Sequence, residues 1–139
     1  MPDLKKALSQ SDSIFGITQS GRAIDAWRRI NDNPETKKTI VISRYSSDLE
    51  PQIVRLEFRH NLDKVSDTNT TAVAYKVAVV VFGVRNHPGI TNDDGSVTPV
   101  ADTDIAINDE FEVDGSSYVV QEVLLYAGEV QALCSRMTR

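Results

Sequence analysis

Few side chains in this chain could do chemistry: two histidines, His60 and His87, one cysteine, Cys134, and a scatter of carboxylates. A Cys/His zinc centre gathers four such ligands, more than this inventory holds. His60 ends an alternating stretch on its apolar face, where a structural imidazole is the expectation. His87 precedes Pro88 in an acidic loop that goes on to Asp93, Asp94, Asp102 and Asp104. A calcium loop of the EF-hand type needs acids or amides at its first, third and fifth positions, and Glu at its twelfth. Around Gly95 those places hold Ile90, Asn92 and Asp94, with Ala101 at the twelfth. The pattern fails at both ends, so Asp102 and Asp104 are unspecific cation contacts at most.

Nucleophilic chemistry fares no better. No serine lies in a Gly-x-Ser-x-Gly elbow. Phe82-Gly83-Val84 lacks the later glycines of a dinucleotide fingerprint. Cys134 sits in an apolar stretch, as a buried small hydrophobe would. With one cysteine there is no intrachain disulfide, so the fold rests on burial, a partner, or both. The expectation is a non-enzymatic chain with no metal site and no cofactor.

The elements that position these residues come from 139 residues, 40% hydrophobic and 25% charged, enough for one domain. The net charge of −5 argues against a generic nucleic-acid or anionic-membrane binder. Residues 1–60 carry ten Lys/Arg against eight Asp/Glu, or +2, and residues 61–139 carry five against twelve, or −7. That gradient is either a solvated face or a device that orders neighbours. The longest apolar run, residues 77–84, is far short of a membrane span. Residues 1–6 lack the apolar run of a signal peptide. A cytoplasmic chain, or a particle assembled there, is expected, with no membrane contact.

Residues 1–38 read as an N-terminal arm, irregular or partly helical. Residues 21–30 put Ala23, Trp27 and Ile30 on one helical face, with Ser20 as N-cap and residues 31–34 as the stop. The rival is a hairpin of residues 14–18 and 22–27. Trp27, Arg28 and Arg29 are either an interface anchor or, for Trp27, an ordinary core position. Residues 39–139 read as a β domain. Strands are expected at 39–43 and at 52–60, the latter with an exposed Arg55-Glu57-Arg59 row. A polar loop spans 61–71. A long valine-rich strand follows at 72–84, with Gly83 as a kink or bulge. A nineteen-residue loop covers 86–104. Strands 109–113, 117–126 and 129–136 then turn at Asp114-Gly115 and at Ala127-Gly128. Helical spacing from Ser117 is the alternative, against which Tyr118 and the valines favour strand. The fold class is mainly β: a small antiparallel barrel or sandwich with long loops. Val77, Val79, Val81, Leu56, Phe58, Phe111 and Val120 are the expected core.

The stretch 104–123, with Phe111, Val113, Gly115, Tyr118, Val120 and Val123 in rhythm, resembles small tailed-bacteriophage head–tail connector proteins of the head-completion or stopper type. Residues 128–133 fit the last strand of such a barrel. The likeness covers about 35 of 139 residues. It implies a virion protein assembled in the host cytoplasm. As a homo-oligomeric ring it would sit between portal or adaptor and tail, with loops and arm reaching neighbours. The partner-contact candidates are Trp27, Arg28, Arg29, His87, Asp93, Asp94, Asp102 and Asp104. An acidic loop facing DNA in a channel would repel its phosphates and let it slide. The N-terminal extension is longer than a compact barrel needs. Two other readings stand: a capsid coat or decoration protein forming a shell, and a cellular β-barrel module binding a small ligand or peptide. On this division of labour, removing residues 1–30 leaves a folded monomer and weakens assembly.

Overall fold

Apolar residues at Ala23, Ala26, Trp27 and Ile30 recur at helical spacing, and the chain answers with helix α1 (Gln19–Asn31). The computed structural model describes residues 19–59 and 75–137. Ser20 lies inside α1 and is not its N-cap. Residues 22–27 are helical, which removes the hairpin alternative. The helix stops where expected: Asn31 Nδ2 donates to the Trp27 carbonyl at 2.8 Å, and Pro34 follows. Arg28 and Arg29 fall in the last turn, where the helix dipole favours cations.

From residue 37 onward the described chain is mainly β. The strands are β1 (Lys37–Ile40), β2 (Ser43–Arg44), β3 (Ser47–Asp48), β4 (Gln52–Phe58), β5 (Val79–Val84), β6 (Ile90–Thr91), β7 (Val97–Thr98), β8 (Glu110–Val113), β9 (Ser116–Tyr126) and β10 (Glu129–Arg136). Eight form one curled antiparallel sheet, a half-barrel, in the order β1-β4-β5-β10-β9-β8-β2-β3. The concave side buries Ile40, Ile42, Val54, Leu56, Val79, Val81, Phe111, Val120, Ala132 and Cys134 in one cluster. Across the sheet, α1 lays Ala23 and Ala26 against Val84. The helix of the arm is therefore packed onto the sheet, and removing residues 1–30 strips buried Ala23 and Ala26 from the body.

Several expectations need correction. The run at 39–43 is two strands: β1 pairs with β4, then the chain turns at Val41 and Ile42 and β2 crosses to β8. The strand expected at 52–60 ends at Phe58. Phe58, at its end, is 37% exposed and not core, leaning on Tyr118 at 6.1 Å. His60 and the loop 61–71 lie outside the described residues. The long strand expected at 72–84 is regular only over Val79–Val84; residues 72–74 are outside the described set. β5 is paired on both sides, with β4 and β10, and these ladders end together at Phe58 and Cys134. Gly83 makes no bulge. Its missing side chain admits Thr103, whose Oγ1 and Cβ would overlap a Cβ there. The register shift lies instead between Leu133 and Cys134, where β9 gains one residue on β10. Nor is 86–104 an unstructured loop, since β6 and β7 pair within it.

The row on β4 is also less solvated than its alternation implies. Arg55 is half-buried, stacks 3.7 Å from the Phe82 ring and faces Glu57 and Glu129. The cation is held by an aromatic face and two carboxylates from three strands.

Candidate functional site

The surface with most built-in geometry lies along the segment between β5 and β8, which is tied by hydrogen bonds to β5, β4 and β2. Thr103 fixes it first: its N–H donates to the Val84 carbonyl at 2.8 Å, and its Oγ1 accepts from Val84 N at 2.9 Å. Gln52 holds the next residue from both sides, donating to the Asp104 carbonyl at 2.9 Å and accepting from Asp104 N at 2.7 Å. Asp109 closes the segment. Its carboxylate accepts from Arg44 Nε and Nη2, both at 2.9 Å, and from Ala106 N at 2.7 Å. Asp109 is 1% exposed. Arg44 Nη2 also reaches Asp104 at 2.8 Å. Hydrogen bonds to Asp109 and then Asp104 hold the Arg44 guanidinium above its ordinary pKa. It stays a cation throughout.

This clamp carries the β2–β3 turn. Tyr45 and Ser46 are its two central residues, with φ of 52° and 66°. Both sit in the left-handed region that glycine and asparagine favour. Tyr45 is 95% exposed. Across a cavity of about 230 Å³ it faces the turn of Ile107 and Asn108. Asn108 has φ 76°, and Ile107 is 57% exposed.

On the other side of the segment lies an apolar groove of about 310 Å³, walled by Trp27, Ile53, Val84, Ile90, Val100 and the two prolines Pro51 and Pro99. Trp27 meets the His87 ring edge-on at 6.4 Å. His87 Nδ1 accepts from Gly89 N at 2.9 Å, which leaves Nε2 as the protonated nitrogen of a neutral ring. Burial holds the His87 pKa below its ordinary value. Asp102 is part of the groove wall, and its Oδ1 accepts from Asn86 N at 2.8 Å.

The sequence candidates thus separate into three groups. Trp27, His87 and Asp102 come together at the groove. Asp104 belongs to the Arg44 clamp. Arg28 and Arg29 stand on the exposed side of α1, Arg28 at 3.7 Å from Asp25. Asp93 and Asp94 form the β6–β7 turn. There the Asp94 carboxylate accepts from Ser96 N at 2.9 Å and Ser96 Oγ at 2.6 Å, and these hydrogen bonds lower its pKa. That carboxylate does a turn's work. Among the described residues no group of three or more His, Cys, Asp and Glu is placed to hold a metal ion. Burial within β10 pushes the Cys134 thiol up to about 12.

Sequence reasoning missed Tyr45, Arg44 and Asp109. Tyr45-Ser46-Ser47 ahead of Asp48 was the available signal, since serines and aspartate gather at turns. Asp109 carried no local signal, because its partner is 65 residues away. No protein-family model matches the chain, and no curated protein matches it either. No helix among the described residues is long and apolar enough to cross a membrane.

Proposed function

We propose that this chain is a non-enzymatic structural subunit that works by joining other protein subunits. In its finer form it is a head–tail joining subunit of a tailed bacteriophage, set as a ring between portal or adaptor and tail. One observation carries the reading: a rigid half-barrel holds large apolar side chains outward on its turns and hairpin ends. Tyr45, Ile107 and Val97 project from turns and short strands, and Leu125, 62% exposed, and Tyr126 from the end of the β9–β10 hairpin. Such side chains stabilise a fold when buried, and where they lie together on the surface, as Leu125 and Tyr126 do at one hairpin end, they suit a contact surface. The resemblance of residues 104–123 to connector proteins supplies the finer form.

Solution mass by light scattering over a concentration series, alone and with candidate portal, adaptor and tail proteins, tests it. A ring, or a monomer that joins a partner ring, is the expected result. Closed shells would make it a coat or decoration protein. A monomer indifferent to every particle component would overturn the subunit reading and leave a binding module that uses the Trp27 groove.

A further inference from the structure

We infer that His87 is an acid-sensitive latch on the β6–β7 hairpin: as a neutral ring it ties the hairpin's stem to α1, and as a cation it releases it. The inference goes beyond the subunit function proposed above and holds whatever the chain joins. Three observations carry it.

The first is how little else holds the hairpin. Among the described residues, β6 and β7 pair with each other alone, in a sheet apart from the half-barrel. All four of their residues are exposed. A two-stranded hairpin is marginal in water unless it packs against something. Its place therefore rests on the stem. There Asn86 N donates to Asp102 Oδ1 at 2.8 Å, Val100 packs on the α1 cluster, and His87 meets Trp27.

The second is the chemistry of the joint. Gly89 N–H can only donate, so its 2.9 Å bond to His87 Nδ1 exists only while that nitrogen carries no proton. Gly89 directly precedes β6, which makes this bond the link between ring and hairpin. Protonation turns the acceptor into a second donor aimed at the first. Trp27 suits both forms, since an indole packs against a neutral ring and attracts a charged one. The Gly89 bond is what acid removes.

The third is the charge around the ring. Arg85 reaches the Tyr126 carbonyl at 3.3 Å, and Asp102 is engaged by Asn86 N. Arg28 on α1 faces Asp25 at 3.7 Å, and Asp94 is held by Ser96. Asp93 in the hairpin turn, Glu50 ahead of β4 and Arg29 on α1 are exposed. Among the described residues none of these forms an ion pair with His87. No carboxylate offsets a charge on the ring, and burial holds its pKa below the ordinary value of about 6.5. The closed latch thus prefers the neutral ring. Opening is suppressed above about pH 6.5 and rises about tenfold per pH unit below it, until the lowered value is reached. What the latch controls is where the hairpin presents Val97, 57% exposed, and its Asp93–Asp94 turn.

The test follows amide hydrogen exchange by NMR in the full chain from about pH 7.5 to about pH 5, where carboxylates of ordinary pKa stay ionised. The emission of Trp27, the one tryptophan in the chain, is recorded alongside. Corrected for intrinsic exchange, protection at Gly89 is expected to fall about fivefold or more below pH 6.5. Thr103, whose N–H is bonded to the Val84 carbonyl, is expected to keep its protection. Trp27 emission is expected to change over the same range, because a protonated imidazole quenches a neighbouring indole. His87→Gln is expected to flatten both profiles, which separates His87 from His60. Constant protection at Gly89 while the His87 ring titrates would overturn the inference, since the hairpin would then stay in place on a charged ring. A step that persists in His87→Gln would also overturn it. So would joint loss of protection at Gly89 and Thr103, which is general acid unfolding.

Discussion

Asp109 decides much of what the surface can present. Its carboxylate is buried among Ala106 N and the Arg44 guanidinium, which supplies two parallel hydrogen bonds. Fork-to-fork pairing of this kind is stronger than a single-point ion pair and fixes orientation as well as distance. Removing the carboxylate leaves Arg44 facing Asp104 alone, and it frees Ala106 N inside the turn. Breaking a buried pair costs about 3–5 kcal/mol, and Arg44 keeps some water contact, so Asp109→Ala should cost about 2–3 kcal/mol. The shape-preserving Asp109→Asn should cost about half of that, because one hydrogen bond to Ala106 N can be kept. Urea midpoints at unchanged slope are the measurement. A loss under about 0.5 kcal/mol for Asp109→Ala would place this pair with ordinary surface ion pairs. The Tyr45 turn would then have no rigid base.

Among the elements, α1 and the β9–β10 turn approach each other backbone to backbone. Gly128 has φ 75°, and a Cβ there would overlap the backbone of Arg22 and Ala23. The helix therefore rests directly on a glycine in the turn. Gly128→Ala adds backbone strain to a clash with atoms that cannot rotate away, and should cost about 2–4 kcal/mol. Gly115→Ala is the control. Its φ is 82° but nothing lies within 4 Å, so only the strain of roughly 1 kcal/mol remains. Equal losses in the two variants would show that the helix moves aside freely. These same glycines explain what was legible beforehand. Asp114-Gly115 and Ala127-Gly128 mark turns by local chemistry, and β8, β9 and β10 fall almost where the pattern puts them. Gly83 was misjudged because its reason, Thr103, sits twenty residues on in sequence. The site was half legible for the same cause. Trp27, His87 and Asp102 stood out by type, whereas Tyr45 matters through its backbone angle and Asp109 through a distant arginine.

For the whole molecule, the uneven charge becomes a testable force under the proposed subunit function, which requires copies or partners to meet. The first 60 residues carry +2 and the remainder −7. Part of that difference is neutralised internally, as where Asp104 and Asp109 meet Arg44. Charges of both signs stay exposed, among them Arg22, Arg28 and Arg29 on α1 and Asp48, Glu50, Glu110 and Glu112. Exposed charges interact over the Debye length, about 10 Å at 0.1 M salt and about 3 Å at 1 M. Apolar contact responds differently, since sodium chloride leaves burial of a tyrosine ring intact or slightly strengthens it. Raising sodium chloride from 0.1 to 1 M should therefore weaken self-association about tenfold, or about 1.4 kcal/mol, chiefly by slowing encounter. Light scattering with stopped-flow mixing separates the two contributions. Association that tightens with salt would assign the contact to apolar burial alone. The clustering of arginine on the helix would then be a matter of solubility. A slope that disappears when Arg28 and Arg29 are replaced by glutamine would locate the steering charge on α1.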